Sequence, residues 1–134
     1  QLPAEKVIFA VRGAPTINDA TLEDARVAGI TSLVRVIDNG TDIPGTVPEE
    51  CSPAFREVFE RADLILAKGQ GNYESLAGVD KEIFFLLKIK CNVLSRDLGW
   101  PRGSLVLHHQ RAKERQPAPG AAAIRHEPST PVAP

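Results

Sequence analysis

The segment ADLILAKGQGNYESL at residues 62–76 decides the fold that the sequence predicts. It begins with a run of Leu, Ile and Ala that is typical of a buried strand, and the run stops at Lys68, which Gly69 and Gly71 follow. Glycine allows a positive φ or a close approach of the backbone to a ligand, and the lysine supplies a point charge. The pattern favours an anion, most simply a phosphate, at the end of a strand. A tight strand-to-helix turn beside a solvated lysine is the alternative.

The spacing of these glycines matches neither of two common phosphate-binding motifs. In a P-loop the lysine follows the glycines and precedes Ser or Thr, and the dinucleotide fingerprint has a third glycine. A nucleotide-binding module of the dinucleotide type is therefore disfavoured.

Patterns typical of strands and of helices alternate along the chain. Helices are predicted where good caps occur: Thr21 with Asp24 resembles a capping box, and Ser52 precedes a proline at the first helical position. This alternation, with nearly continuous apolar strands, predicts an α/β fold with a mostly parallel, Rossmann-like sheet covered on both faces, a three-layer α/β/α arrangement. The expected helices are 21–29, 52–62 and about 80–90, and the expected strands are 6–11, 32–37, 63–67, 92–95 and 103–107.

Polar loops follow the predicted strands. In open α/β sheets ligands bind outside the carboxyl ends of the strands, so these loops are expected to meet along one edge of the sheet. Each loop contains glycine together with Asp, Asn, Lys or Arg, which makes the set a better argument for a site than any one loop. The loops are 12–19, 38–45, 68–74 and 96–103.

Composition narrows the classes of partner. The chain has 134 residues, is 43% hydrophobic and 25% charged, and has a formal net charge of −1. Neither a nucleic acid nor an anionic membrane surface is therefore expected as a partner. No apolar run approaches the roughly 18–20 residues that span a bilayer. Cys51 and Cys91 form neither a disulfide framework nor a metal-type spacing, which is typical of a cytoplasmic protein.

The two ends of the chain differ from its middle. The sequence begins at Gln1 and has no methionine, so we expect part of a larger protein or a truncated reading frame. The predicted α/β domain covers 1–107. Residues 108–134 are rich in proline and alanine and are expected to be disordered. His108 and His109, at the start of this tail, lack the third ligand of a metal site.

Several polar residues have both a chemical and a structural interpretation. Asp19, with Asn18 beside it, suits a hard cation such as Mg²⁺ or Mn²⁺ and equally suits the start of a helix. Lys88 ends a predicted apolar helix, where it complements the helix dipole or binds a phosphate. The turn that Asn-Gly predicts explains Asp38 and Asn39, and a metal role for Asp38 is the alternative.

Five segments together carry a family resemblance: GAPTINDATLEDA (13–25), DNGTDIPGT (38–46), SPAFREVFERADLILAKGQGNYESL (52–76), FFLLKIKC (84–91) and SRDLGWPRGSLV (95–106). They resemble the carboxy-terminal half of the damage-control phosphatase family, formerly a domain of unknown function. The resemblance implies an α/β/α core, incomplete here on its amino-terminal side. It also implies a metal-dependent phosphatase that acts on sugar phosphates or on damaged or surplus phosphometabolites, with Mg²⁺, Mn²⁺, Co²⁺ or Ni²⁺ as cofactor.

The resemblance also implies roles for single residues. Asp19 matches a metal-binding aspartate with Asn18 beside it, Lys88 matches a phosphate-binding lysine, and Asp19 and Lys88 would be catalytic. The loop that contacts phosphate and substrate matches Lys68, Gly69, Gln70, Gly71, Asn72 and Tyr73.

The family's other metal ligands are an Asp-Asn pair on an earlier strand, which would precede Gln1. Asp38 and Asn39 imitate this pair but fall in a different loop. Whether this chain alone is active is therefore open. The alternative function is a non-catalytic fragment or assembly piece that binds phosphorylated ligands without turnover, or completes its site with a partner chain or a missing amino-terminal region.

Overall fold

The computed structural model describes residues 3–113, in which helices and strands alternate. The predicted α/β class is thereby confirmed. The strands are β1 (Ile8–Val11), β2 (Arg35–Asp38), β3 (Ile65–Lys68), β4 (Ile83–Lys88) and β5 (Leu105–Gln110). The helices are α1 (Leu22–Val27), α2 (Pro53–Arg61), α3 (Gln70–Leu76) and α4 (Asn92–Leu98), and short 3₁₀ turns span Ala4–Lys6, Ile30–Ser32 and Pro48–Glu50.

The strands of the described residues form two small sheets. β1 and β2 pair in parallel, with Val11 opposite Asp38. β3 and β4 also pair in parallel, with Lys68 opposite Leu86, and β5 joins the other side of β4 in the antiparallel sense. Parallel pairing places the carboxyl ends of paired strands at a common edge, so the loops that follow them are neighbours.

Both predicted helix starts are confirmed. The Thr21 hydroxyl accepts a hydrogen bond from the Asp24 N–H at 3.5 Å, and Asp24 Oδ2 accepts one from the Thr21 N–H at 2.8 Å. Hydrogen bonds from the backbone and then the hydroxyl of Thr21 lower the pKa of Asp24. The Ser52 hydroxyl accepts from the Phe55 N–H at 3.2 Å at the start of α2. Phe55 and Phe59, four residues apart on one face of this helix, are both buried.

The helix predicted at about 80–90 is wrong, because this segment forms the central strand β4. Every second side chain is buried against the helices, whereas the side chains between them are exposed or half-buried. This period of two is typical of a strand, but apolar residues on both faces conceal it in the sequence. The buried positions are Ile83, Phe85, Leu87 and Ile89.

The strand predicted at 92–95 is also wrong, because these residues begin helix α4. Leu94 and Leu98 lie four residues apart, on one face of the helix, and both pack against the core. This spacing of four residues is typical of a helix, but the short apolar stretch around Leu94 favoured a strand.

One face of the three-stranded sheet carries the hydrophobic core. Helices α2, α3 and α4 pack against it, and Phe55, Leu76 and Leu94 are buried there. Within residues 3–113 no element covers the opposite face, whose leucines are exposed. We call this surface the open sheet face and define it by Leu66, Phe84, Leu86, Leu105 and Leu107.

Strand β5 extends beyond the predicted domain boundary at 107 and ends at Gln110. His108 lies edge-on to Tyr73, with ring centroids 5.9 Å apart, and the ring of His109 stacks on Phe84 at 4.1 Å. Both histidines therefore belong to the sheet. The disorder predicted for the rest of the tail stays a prediction, since residues 114–134 lie outside the described residues.

The described part of the chain has no helix that is both long and apolar enough to cross a membrane. Its two cysteines, Cys51 and Cys91, are free thiols. Cys51 is buried in the core, and this burial raises the pKa of its thiol. Cys91 is half-buried.

Candidate functional site

Arg12 holds Asp19, the candidate metal ligand, in the loop that follows β1. The Arg12 side chain donates through Nε to Asp19 Oδ2 at 2.8 Å. The loop closes on itself because the Arg12 N–H donates to the Ala20 carbonyl at 2.9 Å. Within this loop Ile17 has a φ of 52°, a conformation that is uncommon and costly for a β-branched residue. The carboxylate of Asp19 is thus fixed in a preformed loop.

Arg12 also joins this loop to the loop that follows β2. Its guanidinium donates through Nη1 to the Gly45 carbonyl as well as to Asp19. Arg12 is only 8% exposed, and the two contacts compensate for the desolvation of its charge. Sequence reasoning missed this residue. The available signal was an arginine directly after a predicted strand, in a loop already chosen as part of a site.

Asn39 strengthens the contact between the two loops. Its Oδ1 is buried and accepts hydrogen bonds from the Gly13 N–H at 2.9 Å and the Thr41 N–H at 3.2 Å. Asp38 Oδ1 accepts from the Gly40 N–H at 2.9 Å. These contacts are those of a tight turn, in agreement with the turn interpretation of Asp38 and Asn39.

The loop after β2 lies directly against helix α3. Gly45 has a φ of 81°, and a Cβ built on it would lie 2.6 Å from the Gly71 carbonyl oxygen, so only glycine fits there. The Thr46 hydroxyl donates to Asn72 Oδ1 at 2.8 Å, and the Thr46 N–H donates to the Ser75 hydroxyl at 2.7 Å. The loop of Asp19 and the start of α3 are therefore linked through Arg12, Gly45 and Thr46.

The predicted substrate loop is mostly helical, because α3 begins at Gln70. Gly69 precedes it with φ 99° and ψ 159°, a conformation that essentially only glycine adopts. Asn72 Nδ2 donates to the Lys68 carbonyl at 2.8 Å, which closes the turn between strand and helix. Gln70 Nε2 donates to Glu74 at 2.7 Å, and its buried Oε1 has no hydrogen-bond partner in the described part of the chain.

Lys68 and Lys88 lie on the open sheet face, at the carboxyl ends of β3 and β4. Since Lys68 pairs with Leu86, Lys88 is two residues further along the neighbouring strand and points to the same side. A strand spacing of about 4.8 Å and a rise of about 3.3 Å per residue place their Cβ atoms roughly 8 Å apart. Both side chains are exposed. The two candidate phosphate-binding lysines are thus neighbours, although the helix expected to carry Lys88 is a strand.

Tyr73 faces the core and not the open surface. It is 8% exposed, its ring meets Phe85 edge-on at 5.1 Å, and its hydroxyl donates to Asp97 Oδ2 at 2.6 Å. Burial, followed by the bond to Asp97, raises the pKa of Tyr73 to about 12. This placement indicates a structural role that joins α3 to α4.

The acidic side chains of the described residues are dispersed. Within residues 3–113 no three His, Cys, Asp or Glu side chains are grouped as a metal site requires. The Asp19 side chain is 46% exposed, and its ion pair engages Oδ2 and leaves Oδ1 for another partner. Asn18 is exposed beside it. The described residues therefore offer one carboxylate and one amide at this position, and these two side chains do not make a complete metal site.

Comparisons with known proteins identify the family. A family model described as the damage-control phosphatase ARMT1-like domain matches residues 1–106. A damage-control phosphatase of Pyrococcus horikoshii is 46% identical over 109 residues, which cover 81% of this chain and 38% of that protein. A damage-control phosphatase of Archaeoglobus fulgidus is 43% identical over 104 residues, covering 76% of this chain and 36% of that protein. An uncharacterized protein of Methanocaldococcus jannaschii is 48% identical over 105 residues, covering 75% of this chain and 34% of that protein.

A solved structure agrees with these relatives. The crystal structure of a DUF89 family protein from Pyrococcus horikoshii matches with a TM-score of 0.72 at 46% identity, covering 76% of this chain and 36% of that one. The chain thus spans little more than a third of the length of the relatives it matches. Since the family model matches most of the sequence, the chain belongs to the damage-control phosphatase ARMT1-like domain family.

Proposed function

We propose that this chain is the phosphoryl-binding part of a phosphatase that hydrolyses phosphate monoesters of small metabolites. Two relatives named damage-control phosphatase support this reaction class. The proposed substrates are sugar phosphates or damaged and surplus phosphometabolites. A net charge of −1 gives no electrostatic reason to expect a nucleic acid or an anionic membrane as the ligand.

The observation that carries the proposal is the contact between the loop of Asp19 and the start of α3. Arg12 bridges Asp19 and the Gly45 carbonyl, and Gly45 lies against the Gly71 carbonyl. A carboxylate and a glycine-rich helix start therefore lie at the same edge of the molecule, as a phosphoryl site at the carboxyl ends of parallel strands requires.

Positive charge is the main chemical contribution of this chain. A phosphate monoester carries about two negative charges at neutral pH, and its hydrolysis depends mainly on positioning and electrostatic stabilisation. Lys68 and Lys88 lie on neighbouring strands and point to one side. Their long side chains can converge on one phosphoryl group and neutralise its oxygens.

Backbone N–H groups add further donors next to Lys68. The first intrahelical hydrogen bond of α3 runs from the Tyr73 N–H to the Gly69 carbonyl at 3.3 Å. The N–H groups of Gln70, Gly71 and Asn72 therefore lack acceptors inside the helix and can donate to an anion. The Asn72 side chain is turned back to Lys68 and Thr46, so we propose that it shapes this turn.

Metal dependence is a separate part of the proposal. We propose that Asp19 Oδ1 and the Asn18 amide contribute ligands for Mg²⁺, Mn²⁺, Co²⁺ or Ni²⁺, with the remaining ligands coming from outside the described residues. Such a cation would supply Lewis-acid activation of the phosphoryl group. Arg12 would orient Asp19 for this role, because its bond to Oδ2 directs Oδ1 away.

The competing function is binding of phosphorylated ligands without turnover. The names of the relatives favour the phosphatase, and binding without turnover is kept as the alternative that the chimera experiment below tests. The cytoplasmic location stays a prediction under either function.

A chimera tests the proposal. Residues 1–106 would replace the matched third of the Pyrococcus horikoshii phosphatase, and hydrolysis of p-nitrophenyl phosphate and a panel of sugar phosphates would be measured with each of the four cations. We expect turnover that Asp19→Asn abolishes and that Lys88→Gln weakens through a raised KM. The matched controls are Asp42→Asn and Lys90→Gln, both at exposed positions, and these should leave turnover unchanged.

Two outcomes would decide against the phosphatase. Full activity of the Asp19→Asn chimera would remove Asp19 from the site. Phosphate binding without turnover by the chimera, measured by calorimetry, would favour the non-catalytic function.

A further inference from the structure

We infer that Ile17 is a specificity-determining residue of the candidate site, and that its side chain packs on the carbon skeleton of the phosphate ester next to the phosphoryl group. The inference rests on the proposed function, since it requires a phosphoryl group bound beside Asp19. It adds a contact that Lys68 and Lys88 do not supply, because their charges act on the phosphoryl oxygens.

Ile17 is the first central residue of a tight turn. The Asp19 N–H donates to the Thr16 carbonyl at 3.0 Å, so Ile17 and Asn18 lie at the tip of this turn. Among the residues that the structure describes, Ile17 is the only one other than glycine with a positive φ, which is 52°. Turns with a positive φ at this position normally have Gly, Asn or Asp there. A β-branched residue is therefore a genuine outlier.

Ile17 gains almost no burial in return for this strain. It is 89% exposed, more than any other large apolar side chain in the described part of the chain. The preceding residue, Thr16, is buried, and its hydroxyl donates to the Asp42 carbonyl at 2.8 Å. The turn is thus anchored at its base and presents Ile17 at its tip. A strained backbone that its surroundings hold in place, together with an unburied apolar side chain, points to a role in binding.

The position of the turn favours a ligand as the partner of this side chain. The turn follows β1 at the carboxyl edge of the parallel pair β1 and β2, where ligands of α/β sheets bind. Ile17 and Asp19 are two residues apart, so their Cα atoms lie no more than about 7 Å from each other. An ester whose phosphoryl group is bound beside Asp19 therefore has its first carbon atoms within reach of Ile17.

The chemistry of the side chain defines what it recognises. Isoleucine has no hydrogen-bond donor or acceptor beyond its backbone, so it contributes through buried hydrocarbon. Each methylene group of a ligand that it covers should contribute up to about fourfold in affinity. The affinity for an ester should therefore rise with the length of its carbon chain, whereas the affinity for inorganic phosphate should not depend on Ile17.

A series of alkyl phosphates tests the inference in the chimera that carries residues 1–106. The kcat/KM values of methyl, ethyl, n-propyl and n-butyl phosphate would be compared, with the Ki of inorganic phosphate as the reference that lacks a carbon skeleton. We expect kcat/KM to rise by up to about fourfold for each added methylene group. Ile17→Asn should flatten this rise and leave the Ki of phosphate nearly unchanged. Asparagine adopts a positive φ readily, so the variant should retain the turn.

Val27→Asn is the matched control. Val27 is also β-branched and is 81% exposed, but it is the last residue of α1, about 7.5 Å along the helix axis beyond Leu22. It should leave the dependence on chain length unchanged. In the full chain, Ile17→Asn should not lower Tm, because the side chain is exposed and asparagine relieves the strain.

Several results would overturn the inference. A dependence on chain length that Ile17→Asn leaves intact would overturn it and leave the proposed function in place. Equal losses of affinity for phosphate and for butyl phosphate would also overturn it, because Ile17 would then act only by positioning Asp19. A lower Tm of the Ile17→Asn chimera, with no change in the full chain, would show that the rest of the fold covers Ile17 and would overturn it as well.

A chimera without turnover still decides the question. The Kd values of the same alkyl phosphates, measured by calorimetry, would then replace kcat/KM. A rise in affinity with chain length that Ile17→Asn removes would support the inference even though the phosphatase proposal had failed. A series with equal Kd values, or a folded chimera that binds none of these esters, would overturn it.

Discussion

Arg12 and Asp19 form an ion pair of 2.8 Å in which the guanidinium is buried and the carboxylate is half-exposed. The buried partner is also bonded to the Gly45 carbonyl, which is 33 residues away in the sequence. Arg12 thus connects the acidic loop after β1 to the loop that abuts α3. Together with the contacts of Asn39 and Thr46, this side chain sets the geometry of the candidate site.

Removing the Arg12 side chain should loosen both loops. Arg12→Ala leaves the Gly45 carbonyl without its donor and releases Asp19, so we expect a loss of about 2 kcal/mol in the free energy of unfolding. Arg12→Lys should be intermediate, because one ammonium cannot reproduce the two directed bonds of the guanidinium. Denaturant unfolding followed by circular dichroism measures both values.

Arg26→Ala is the control for this prediction. Arg26 forms an exposed ion pair with Glu23 on α1, so its loss should change stability by less than about 0.5 kcal/mol. Equal effects of Arg12→Ala and Arg26→Ala would show that the buried contacts do not hold the loops.

Gly69 and Gly71 should respond in opposite ways to alanine. A Cβ at Gly69 would meet nothing within 4 Å, but the φ of 99° is strained for any other residue. Gly69→Ala should therefore lower the free energy of unfolding by about 1–3 kcal/mol. Gly71 lies inside α3, and its Cβ would make an ordinary contact with Gly45 at 3.4 Å. Gly71→Ala should therefore be neutral or stabilise by up to about 1 kcal/mol. Thermal unfolding of the two variants compares them, and equal destabilisation would contradict the backbone argument.

Local signals in the sequence were sufficient for the elements whose ends are set by neighbouring residues. The caps of Thr21 and Ser52 act over three residues, and both helices begin where those caps predict. The end of β3 was identified to within one residue for a similar reason, because Gly69 directly follows its last residue, Lys68.

Other features depend on contacts that no short window contains. The segment around Phe85 is apolar on both faces, so its sequence fits a helix and a strand equally well. Only the pairing with a neighbouring strand decides which of its side chains are buried and which are exposed. The bond of Arg12 to Gly45 joins distant loops, so Arg12 was missed. Tyr73 was assigned to the substrate from its place in a motif, but α3 turns it toward Phe85.

Adjacent substitutions in β4 test the strand register. Phe85 is fully buried, so Phe85→Ala should cost about 3–5 kcal/mol through lost burial and a residual cavity. Leu86, the next residue, is on the open sheet face, and Leu86→Ala should cost less than about 1 kcal/mol in the isolated chain. Urea unfolding measures the difference. Comparable losses at both positions would contradict the alternation.

The burial of Tyr73, together with its hydrogen bond to Asp97, should make stability fall at alkaline pH. The pKa of Tyr73 is raised from 10.0 to about 12 in the folded chain, so folding favours the neutral phenol. Its contribution is fully present below pH 10 and is lost as the pH rises through about 12, because the unfolded chain ionises first. Tyr73 is the only tyrosine in the sequence, so the ultraviolet absorbance of tyrosinate reports its titration directly.

Tyr73→Phe should lower the free energy of unfolding by about 1 kcal/mol at neutral pH. Because phenylalanine does not ionise, the variant should also lose less stability between pH 10 and pH 12 than the unmodified chain. Asp97→Asn should move the pKa of Tyr73 back toward 10 only in part, since burial is the larger cause of its shift. A tyrosinate titration centred at 10 in the unmodified chain would contradict the burial of the phenol.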